Sequence, residues 1–176
     1  RNTLEYLIQL GHKKIDLFEM CDSGVVQDAR QHVVAEIREK YREDGMEIRR
    51  VSFPPKASDQ VIYDVCRKAM EQQEKATAYV ISSSIRQYFL MAANDLKLSI
   101  PGDISYVNIE YYSRNDWGKE EQTRVESKAS LIAETAFKKL LKNIYNPLAM
   151  FESDLVPLEL TIGLTTGIPG QKEEIK

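Results

Sequence analysis

The sequence predicts an α/β protein built on a doubly wound, mostly parallel sheet. Short apolar segments of strand length alternate along the chain with longer segments in which apolar residues recur every third or fourth position. Small polar residues or turn formers follow the apolar segments, as at Ser82-Ser83-Ser84 and Pro54-Pro55. Strands separated by helices of this length form βαβ units, which place helices on both faces of a parallel sheet.

The elements of the first two thirds of the chain carry start and stop signals. Gly11 and Asp44-Gly45 are natural helix ends, and Ser58 is suited to cap the helix that follows it. In chain order the predicted elements are a helix striped by Leu4, Leu7 and Ile8, a strand Ile15–Met20, a helix Gln27–Glu43, a strand Glu47–Phe53, a helix striped by Val61, Ile62, Val65 and Ala69, a strand Ala78–Ile81, a helix striped by Ile85, Tyr88, Phe89, Ala92 and Leu96, and a strand Ile104–Ile109.

The pattern changes after Glu110. Residues Tyr111–Arg124 are polar and irregular, and a strongly amphipathic helix is predicted over Ala129–Ile144. Val156–Leu164 is predicted to be a last strand, and Gly167–Lys176 has the composition of a mobile tail.

Composition excludes several classes of function. The 176 residues are 43% hydrophobic and 29% charged, as in an ordinary globular protein, and a net charge of −3 gives no basic surface for nucleic acid. Cys21 and Cys66 are far apart, which is typical of a reduced, cytoplasmic protein. The apolar runs are too short to span a bilayer, and His32 has no partners at metal-ligand spacing.

Binding is favoured over catalysis. The sequence has no dinucleotide fingerprint, P-loop, nucleophile elbow or zinc-protease motif, so neither enzymatic activity nor a cofactor is expected. A doubly wound sheet places a ligand crevice at the carboxyl ends of its strands. In this chain those ends are Cys21–Gly24, Phe53–Lys56, Ser82–Ser84 and Glu110–Tyr112.

Four blocks of the sequence resemble the ligand-sensing domain of the lactose/galactose repressor (LacI/GalR) family. They are YLIQLGHKKIDLFEM (Tyr6–Met20), Ala78–Glu110, Val156–Leu160 and Leu164–Thr166. The resemblance covers nearly the whole chain but only the second half of that sensor. Such a sensor has a type I periplasmic-binding-protein-like fold of two doubly wound subdomains joined by three crossings.

The resemblance implies a division of the chain. Residues 1–125 with 156–166 would form the C-terminal subdomain, and residues 127–150 a crossover helix that belongs to an N-terminal subdomain otherwise absent from this sequence. The helix would then lack the surface that it packs against, which favours self-association or disorder. The DNA-binding domain would lie upstream, outside this chain.

The resemblance also implies a ligand pocket centred on Arg30 and Glu110. Arg30 fits the family's R-x-x-G at the start of a helix, with Val33 at the Gly position. Glu110 occupies the position of a carboxylate residue in the family's V-G-F-D-D. A guanidinium fork holds neighbouring hydroxyls or a carboxylate, and Glu110 would accept hydrogen bonds from ligand hydroxyls. The alternatives are a surface arginine and a simple Arg30–Glu110 ion pair that closes an empty cleft.

Further pocket residues follow from the same comparison. Ser82 and Ser83 occupy the family's Asn-Asp positions, although serines at a strand–helix junction also serve as N-caps. An alignment through Gln122–Val125 places Ser127 in the last of the three crossings between the subdomains. Phe53 could stack on an apolar sugar face, or it could belong to the core.

The resemblance predicts a homodimer. Its interface would use Tyr88, Phe89 and Met91 in the helix after the third strand, and Tyr112 and Trp117 after the fourth.

The function implied is the effector-binding and dimerising portion of a bacterial transcriptional regulator. A small molecule, a sugar or related metabolite, would control operator binding by the upstream helix-turn-helix. His12, in the family's LGHKKI fingerprint, would serve the helix-to-strand turn. The alternative is a solute-binding protein of a transport system, which shares this fold.

Overall fold

The computed structural model describes residues 1–20, 25–109, 122–146 and 153–171, which form one six-stranded sheet with helices on both faces. In chain order the elements are α1 (Asn2–Gln9), β1 (Lys14–Met20), α2 (Val25–Lys40), β2 (Glu47–Phe53), α3 (Asp59–Glu71), β3 (Ala78–Ser82), α4 (Arg86–Asp95), β4 (Ser105–Ile109), β5 (Arg124–Glu126), α5 (Ala129–Tyr145) and β6 (Glu159–Thr161).

The strand order is β2-β1-β3-β4-β5-β6, and every neighbouring pair is parallel except β5 and β6. The predicted fold class is therefore confirmed. The strand order reverses at β1, because the chain passes from β1 to β2 on one side and then returns to place β3 on the other side of β1. Crevices form at such a reversal, beyond the carboxyl ends of the strands.

Side chains on the two faces of the sheet form two different cores. Alternate residues of a strand face opposite sides, so Leu17 joins an aliphatic core with α1 and α2, whereas Phe18 joins an aromatic core with α3 and α4. In the aromatic core the Phe89 ring centroid lies 5.2 Å from that of Tyr79 and 5.5 Å from that of Tyr106. These edge-to-face contacts leave Phe89 fully buried.

The turn from α1 to β1 depends on Gly11 and His12. Gly11 has φ +95°, a conformation that favours glycine. The amide of His12 donates to the Leu7 carbonyl at 3.1 Å, and His12 Nδ1 lies 2.9 Å from Thr77 Oγ1. Burial lowers the pKa of His12, with the Gly167 backbone acting in the opposite direction. His12 therefore serves the helix-to-strand turn, as the family resemblance predicted.

The edge strands β5 and β6 are tied to the sheet by hydrogen bonds around Thr123, which we call the crossing clamp (Thr123, Gly163, Thr165 and Thr166). Thr123 Oγ1 accepts from the Gly163 amide at 3.0 Å and lies 2.7 Å from Thr166 Oγ1. Thr165 Oγ1 accepts from the Thr123 amide at 2.9 Å and donates to the Tyr106 carbonyl at 2.8 Å. The segment around Thr123 and the segment from Gly163 to Thr166 are distant in sequence, and these hydrogen bonds fix them to each other and to β4.

The backbones also approach closely next to the clamp. A Cβ added to Gly163 would lie 2.5 Å from the carbonyl carbon of Gln122. Farther along, the Gly167 amide donates to Ser105 Oγ at 3.0 Å. The described part of the C-terminal segment, up to Gln171, therefore begins as a packed continuation of the sheet edge, whereas a mobile tail was expected from Gly167 onward.

Helix α5 is amphipathic, as predicted, but it has no buried residue. Phe137, Leu140 and Ile144 lie at i, i+3 and i+7 on one face, and each is more than half exposed. An apolar helix face of this kind normally packs against another element. Within the part of the chain that the structure describes, it has no such cover.

Candidate functional site

A cavity of about 570 Å³ opens at the carboxyl edge of the sheet, on the side covered by α1 and α2. Its floor is formed by β1, β3 and the ends of β4 and β5, and its sides by the starts of the two helices and the segment that leads into β6. The lining residues are Arg1, Asn2, Thr3, Leu4, Leu17, Phe18, Glu19, Ala29, Arg30, Val33, Val34, Val80, Ile109, Val125, Pro157, Leu158 and Leu160.

Arg30 stands on the wall of this cavity. It lies in the second turn of α2, where its side chain is half-buried and reaches the carboxyl edge beside Val33. Residue 33 is Val where the resemblance expects Gly, and this side chain adds an apolar surface to the same wall. A guanidinium placed here presents several N–H donors to whatever occupies the cavity.

Glu19 is a second charged residue of the wall, and the sequence analysis did not single it out. Its carboxylate accepts from Arg50 Nε at 2.8 Å and lies 2.6 Å from Arg50 Nη2. Ile15, Leu17 and Glu19 share one face of β1, so a charged residue interrupts an otherwise apolar face at the strand's carboxyl end. A charged residue at the end of an apolar strand face was the sequence signal by which Glu19 could have been predicted to belong to the site.

The serines at the end of β3 form two hydrogen-bonded groups, and none of them lines the cavity. Ser82 Oγ lies 2.8 Å from Ser84 Oγ, and Ser83 Oγ donates to Asn108 Oδ1 at 3.3 Å. Asn108, fully buried, extends the second of these groups by donating from Nδ2 to Gln122 Oε1 at 3.5 Å. The N-cap residue of α4 is Ile85, which makes no side-chain cap hydrogen bond.

Of the remaining sequence-predicted pocket residues, the two that the structure describes are not brought to the cavity. Phe53 is buried in the aromatic core, with its ring centroid 5.9 Å from that of Phe18, because it faces the side of the sheet covered by α3. Ser127 is half-buried between β5 and α5 and does not line the cavity. Glu110 lies outside the described residues.

The predicted dimer residues are distributed unevenly. Met91 is 55% exposed on α4, and Tyr88 is half-buried, with a hydrogen bond to Asp59 that raises the pKa of its phenol. Phe89 is completely enclosed by its own aromatic core and cannot contact a partner directly, which corrects its assignment to the interface. Tyr112 and Trp117 lie outside the described residues.

Within the described ranges no three His, Cys, Asp or Glu side chains converge to hold a metal ion. His32 Nε2 instead lies 3.2 Å from Glu36 one helical turn away, on the exposed face of α2. Among the helices of the described residues, none is long and apolar enough to cross a membrane.

A mostly parallel sheet with an antiparallel edge strand, helices on both faces and a cavity at its carboxyl edge is a doubly wound α/β fold of the kind that binds ligands. A family model described as a periplasmic binding protein-like domain matches residues 4–166. The chain belongs to that family. No curated protein sequence matches it significantly.

Solved structures with the same fold include transcriptional regulators. A LacI family regulator from Bifidobacterium animalis subsp. lactis superimposes with a TM-score of 0.80 at 15% identity, covering 96% of this chain and 60% of its own. A LacI regulator from a Rhodococcus species gives 0.74 at 18%, covering 95% and 60%. One from Enterococcus faecium, solved with bound ribose, gives 0.72 at 19%, covering 93% and 60%.

These structures confirm the resemblance to LacI-type sensors at the level of fold. The chain spans about 60% of the length of the structures it matches.

Proposed function

We propose that this chain is the effector-binding and dimerising part of a LacI-type transcriptional regulator. The observation that carries the proposal is the cavity at the carboxyl edge of the sheet, with Arg30 on its wall. The location is where doubly wound folds bind ligands, and an arginine supplies directional donors to a small molecule. Effector binding, rather than catalysis, is the activity that this arrangement supports.

The uncovered face of α5 supports a second half of the sensor. The solved relatives extend well beyond the part that this chain matches, and Phe137 and Leu140 present an apolar surface with nothing on it among the described residues. We propose that α5 packs against an N-terminal subdomain of the complete protein. An effector held between the two halves would favour the closed arrangement by the difference in its affinity for closed and open states.

A sugar or related metabolite is the effector class that the resemblance implies, and one relative has ribose bound. The regulator would act as a homodimer on operator DNA through a domain outside this chain. A solute-binding protein of a transport system is the alternative, because the two classes share a fold.

The test is a thermal-shift screen of the complete protein against sugars, sugar phosphates, nucleobases, amino acids and organic acids. A ligand at one hundred times its Kd stabilises the folded state by about 2.7 kcal/mol, which for a domain of this size raises Tm by roughly 5–10 °C. Arg30→Ala should abolish the shift. The matched control is Arg42→Ala, since Arg42 is an exposed arginine beyond the other end of α2.

Dimerisation is tested separately by sedimentation. Met91→Asp places a charge on the exposed face of α4 and should produce monomers, whereas Lys68→Asp on the exposed surface of α3 should leave the dimer intact. Monomeric wild-type protein at high micromolar concentration would remove the dimer from the proposal. A complete protein that neither responds to any compound nor binds DNA would remove the regulator itself.

A further inference from the structure

The ion pair of Glu19 and Arg50 leaves one carboxylate oxygen without a hydrogen bond from the described residues. Arg50 Nε donates to Glu19 Oε2 at 2.8 Å, and Arg50 Nη2 lies 2.6 Å from the same oxygen. Arg50 stands opposite Leu17 in the register between β1 and β2, so its guanidinium reaches Glu19 diagonally from the neighbouring strand. The pair therefore holds the carboxylate by Oε2 and keeps Oε1 available as an acceptor.

A second carboxylate–arginine pair on the same two strands is closed in a way that the first is not. Asp16 accepts from Arg49 Nε at 2.8 Å through Oδ1 and from Arg49 Nη2 at 3.0 Å through Oδ2. Because side chains alternate along β1, Asp16 faces the side of the sheet that carries the aromatic core, and it does not line the cavity. Glu19 gives only one oxygen to its arginine and does line the cavity.

Glu19 lies where a ligand is expected and where a hydroxyl group would need a partner. It is next to the last residue of β1, the strand at which the order of the sheet reverses. The described lining is mostly aliphatic, and Glu19 supplies its one carboxylate. A hydroxyl that leaves water for such surroundings loses its hydrogen bonds unless a protein group replaces them. The Glu19 side chain is only 9% exposed, so a hydrogen bond to it would form largely out of water, where such bonds are strong.

We propose that Glu19 is an effector-binding residue whose Oε1 accepts a hydrogen bond from a hydroxyl of a sugar or related polyol, while Arg50 holds Oε2 and orients the carboxylate. The inference rests on the proposed function and adds to its pocket a residue that the family resemblance did not indicate. An ionised carboxylate only accepts hydrogen bonds, so it selects a ligand group that donates. Because Arg50 already pairs with this charge, a neutral hydroxyl matches Oε1 better than an ammonium group does.

The experiment is calorimetric titration of the complete protein with ribose, glucose, galactose and fructose. Glu19→Gln should weaken binding of the sugar with the highest affinity by roughly ten-fold or more, the size expected for a hydrogen bond to a charged group. The matched control is Asp16→Asn. It also neutralises an arginine-paired carboxylate of β1, but on the face of the sheet away from the cavity, so it should keep the wild-type affinity.

Monodeoxy analogues of that sugar, each lacking one hydroxyl, separate a direct contact from a structural role. In wild type, one analogue should bind roughly ten-fold more weakly than the parent sugar, because Oε1 then has no donor. In Glu19→Gln this difference should shrink several-fold, since a neutral amide makes the weaker hydrogen bond. A merely structural substitution would weaken the parent and all analogues alike. If circular dichroism shows that Glu19→Gln does not fold, Glu19→Asp keeps the charge, shortens the reach by one methylene and serves for the same comparison.

The outcomes distinguish this inference from the proposed function. Sugar binding that Glu19→Gln leaves unchanged, or that Asp16→Asn weakens equally, would overturn the inference and leave the effector site in place. A preference for the parent sugar over the analogue that persists in full without the Glu19 carboxylate would do the same. Absence of binding by all four sugars would also overturn it, while the wider thermal-shift screen would decide whether another effector uses the site.

Discussion

Replacing Gly163 with Ala should be the most damaging small substitution in the described part of the sheet edge. The new Cβ would lie 2.5, 2.7 and 2.8 Å from the carbonyl carbon, carbonyl oxygen and amide nitrogen of Gln122. All three are backbone atoms in a segment that the crossing clamp holds to β4, so no side chain can rotate away. The two segments must separate to admit one methyl group.

The magnitude follows from the contacts that separation would break. Overpacking a closely packed site costs about 1–3 kcal/mol. Thr123 Oγ1 would also move away from the Gly163 amide and carbonyl, now at 3.0 and 3.2 Å, and each such hydrogen bond contributes about 1 kcal/mol. We therefore expect a loss of about 3–5 kcal/mol in the free energy of unfolding when both effects are felt.

Urea unfolding followed by circular dichroism measures this change. With an m-value of about 2 kcal/mol/M, the midpoint should fall by roughly 2 M. Gly45→Ala is the control, because Gly45 has φ +69° and no atom within 4 Å of the added methyl group. That variant isolates the cost of left-handed backbone, about 1–2 kcal/mol. A Gly163→Ala protein no less stable than Gly45→Ala would refute the reasoning.

Three other predictions concern α5 and two buried side chains. Phe137→Asp should reduce self-association of this chain in light scattering because Phe137 is 60% exposed on an uncovered apolar face, whereas Lys138→Gln next to it should not. His12 has a lowered pKa, so the stability that it contributes as a neutral ring is complete above its unfolded value of about 6.5 and declines as pH falls below it. The free energy of unfolding of wild type should therefore fall more steeply than that of His12→Gln below pH 6.5. Burial raises the pKa of Cys66 to about 12, so at pH 8 iodoacetamide should label the Cys66 peptide only as fast as the protein unfolds.

Each of these has a clear contrary result. Scattering that is the same for Phe137→Asp and wild type would mean that association uses another surface. Parallel pH profiles for wild type and His12→Gln would show that the histidine is not buried as a neutral ring. Rapid labelling of the Cys66 peptide in folded protein would contradict the burial of this thiol on the inner face of α3.

The sequence was most informative where local signals bracket an element. β2 was predicted with its observed bounds because Asp44-Gly45 ends the preceding helix and Pro54-Pro55 cannot continue a strand. β5 was not predicted, because Arg124–Glu126 is short and polar and its conformation depends on pairing with Asn108 and with β6. Tertiary partners of this kind leave no local pattern.

The residues of the candidate site could be predicted from the sequence only in part. Arg30 was singled out by the resemblance to the family's R-x-x-G; it lines the cavity, and its contact with an effector stays a prediction. Glu19 was missed because β1 was interpreted as an apolar strand, and its pairing with Arg50 requires the register between β1 and β2. Phe53 was misplaced because a residue at a strand's carboxyl end can face either side of the sheet.

The crossing clamp also determines where the molecule can bend. Thr123 and Gly163 are fixed to β4 and to each other, so these segments behave as rigid extensions of the sheet, and torsional freedom begins only beyond them. On one segment the residues at which it begins are Ser127 and Lys128, between β5 and α5. On the other they precede Glu159, whose carboxylate lies 3.0 Å from Lys128 Nζ. A reorientation of α5 relative to the sheet would therefore have to stretch or break two ion pairs, Lys128–Glu159 at 3.0 Å and Lys139–Asp154 at 2.8 Å.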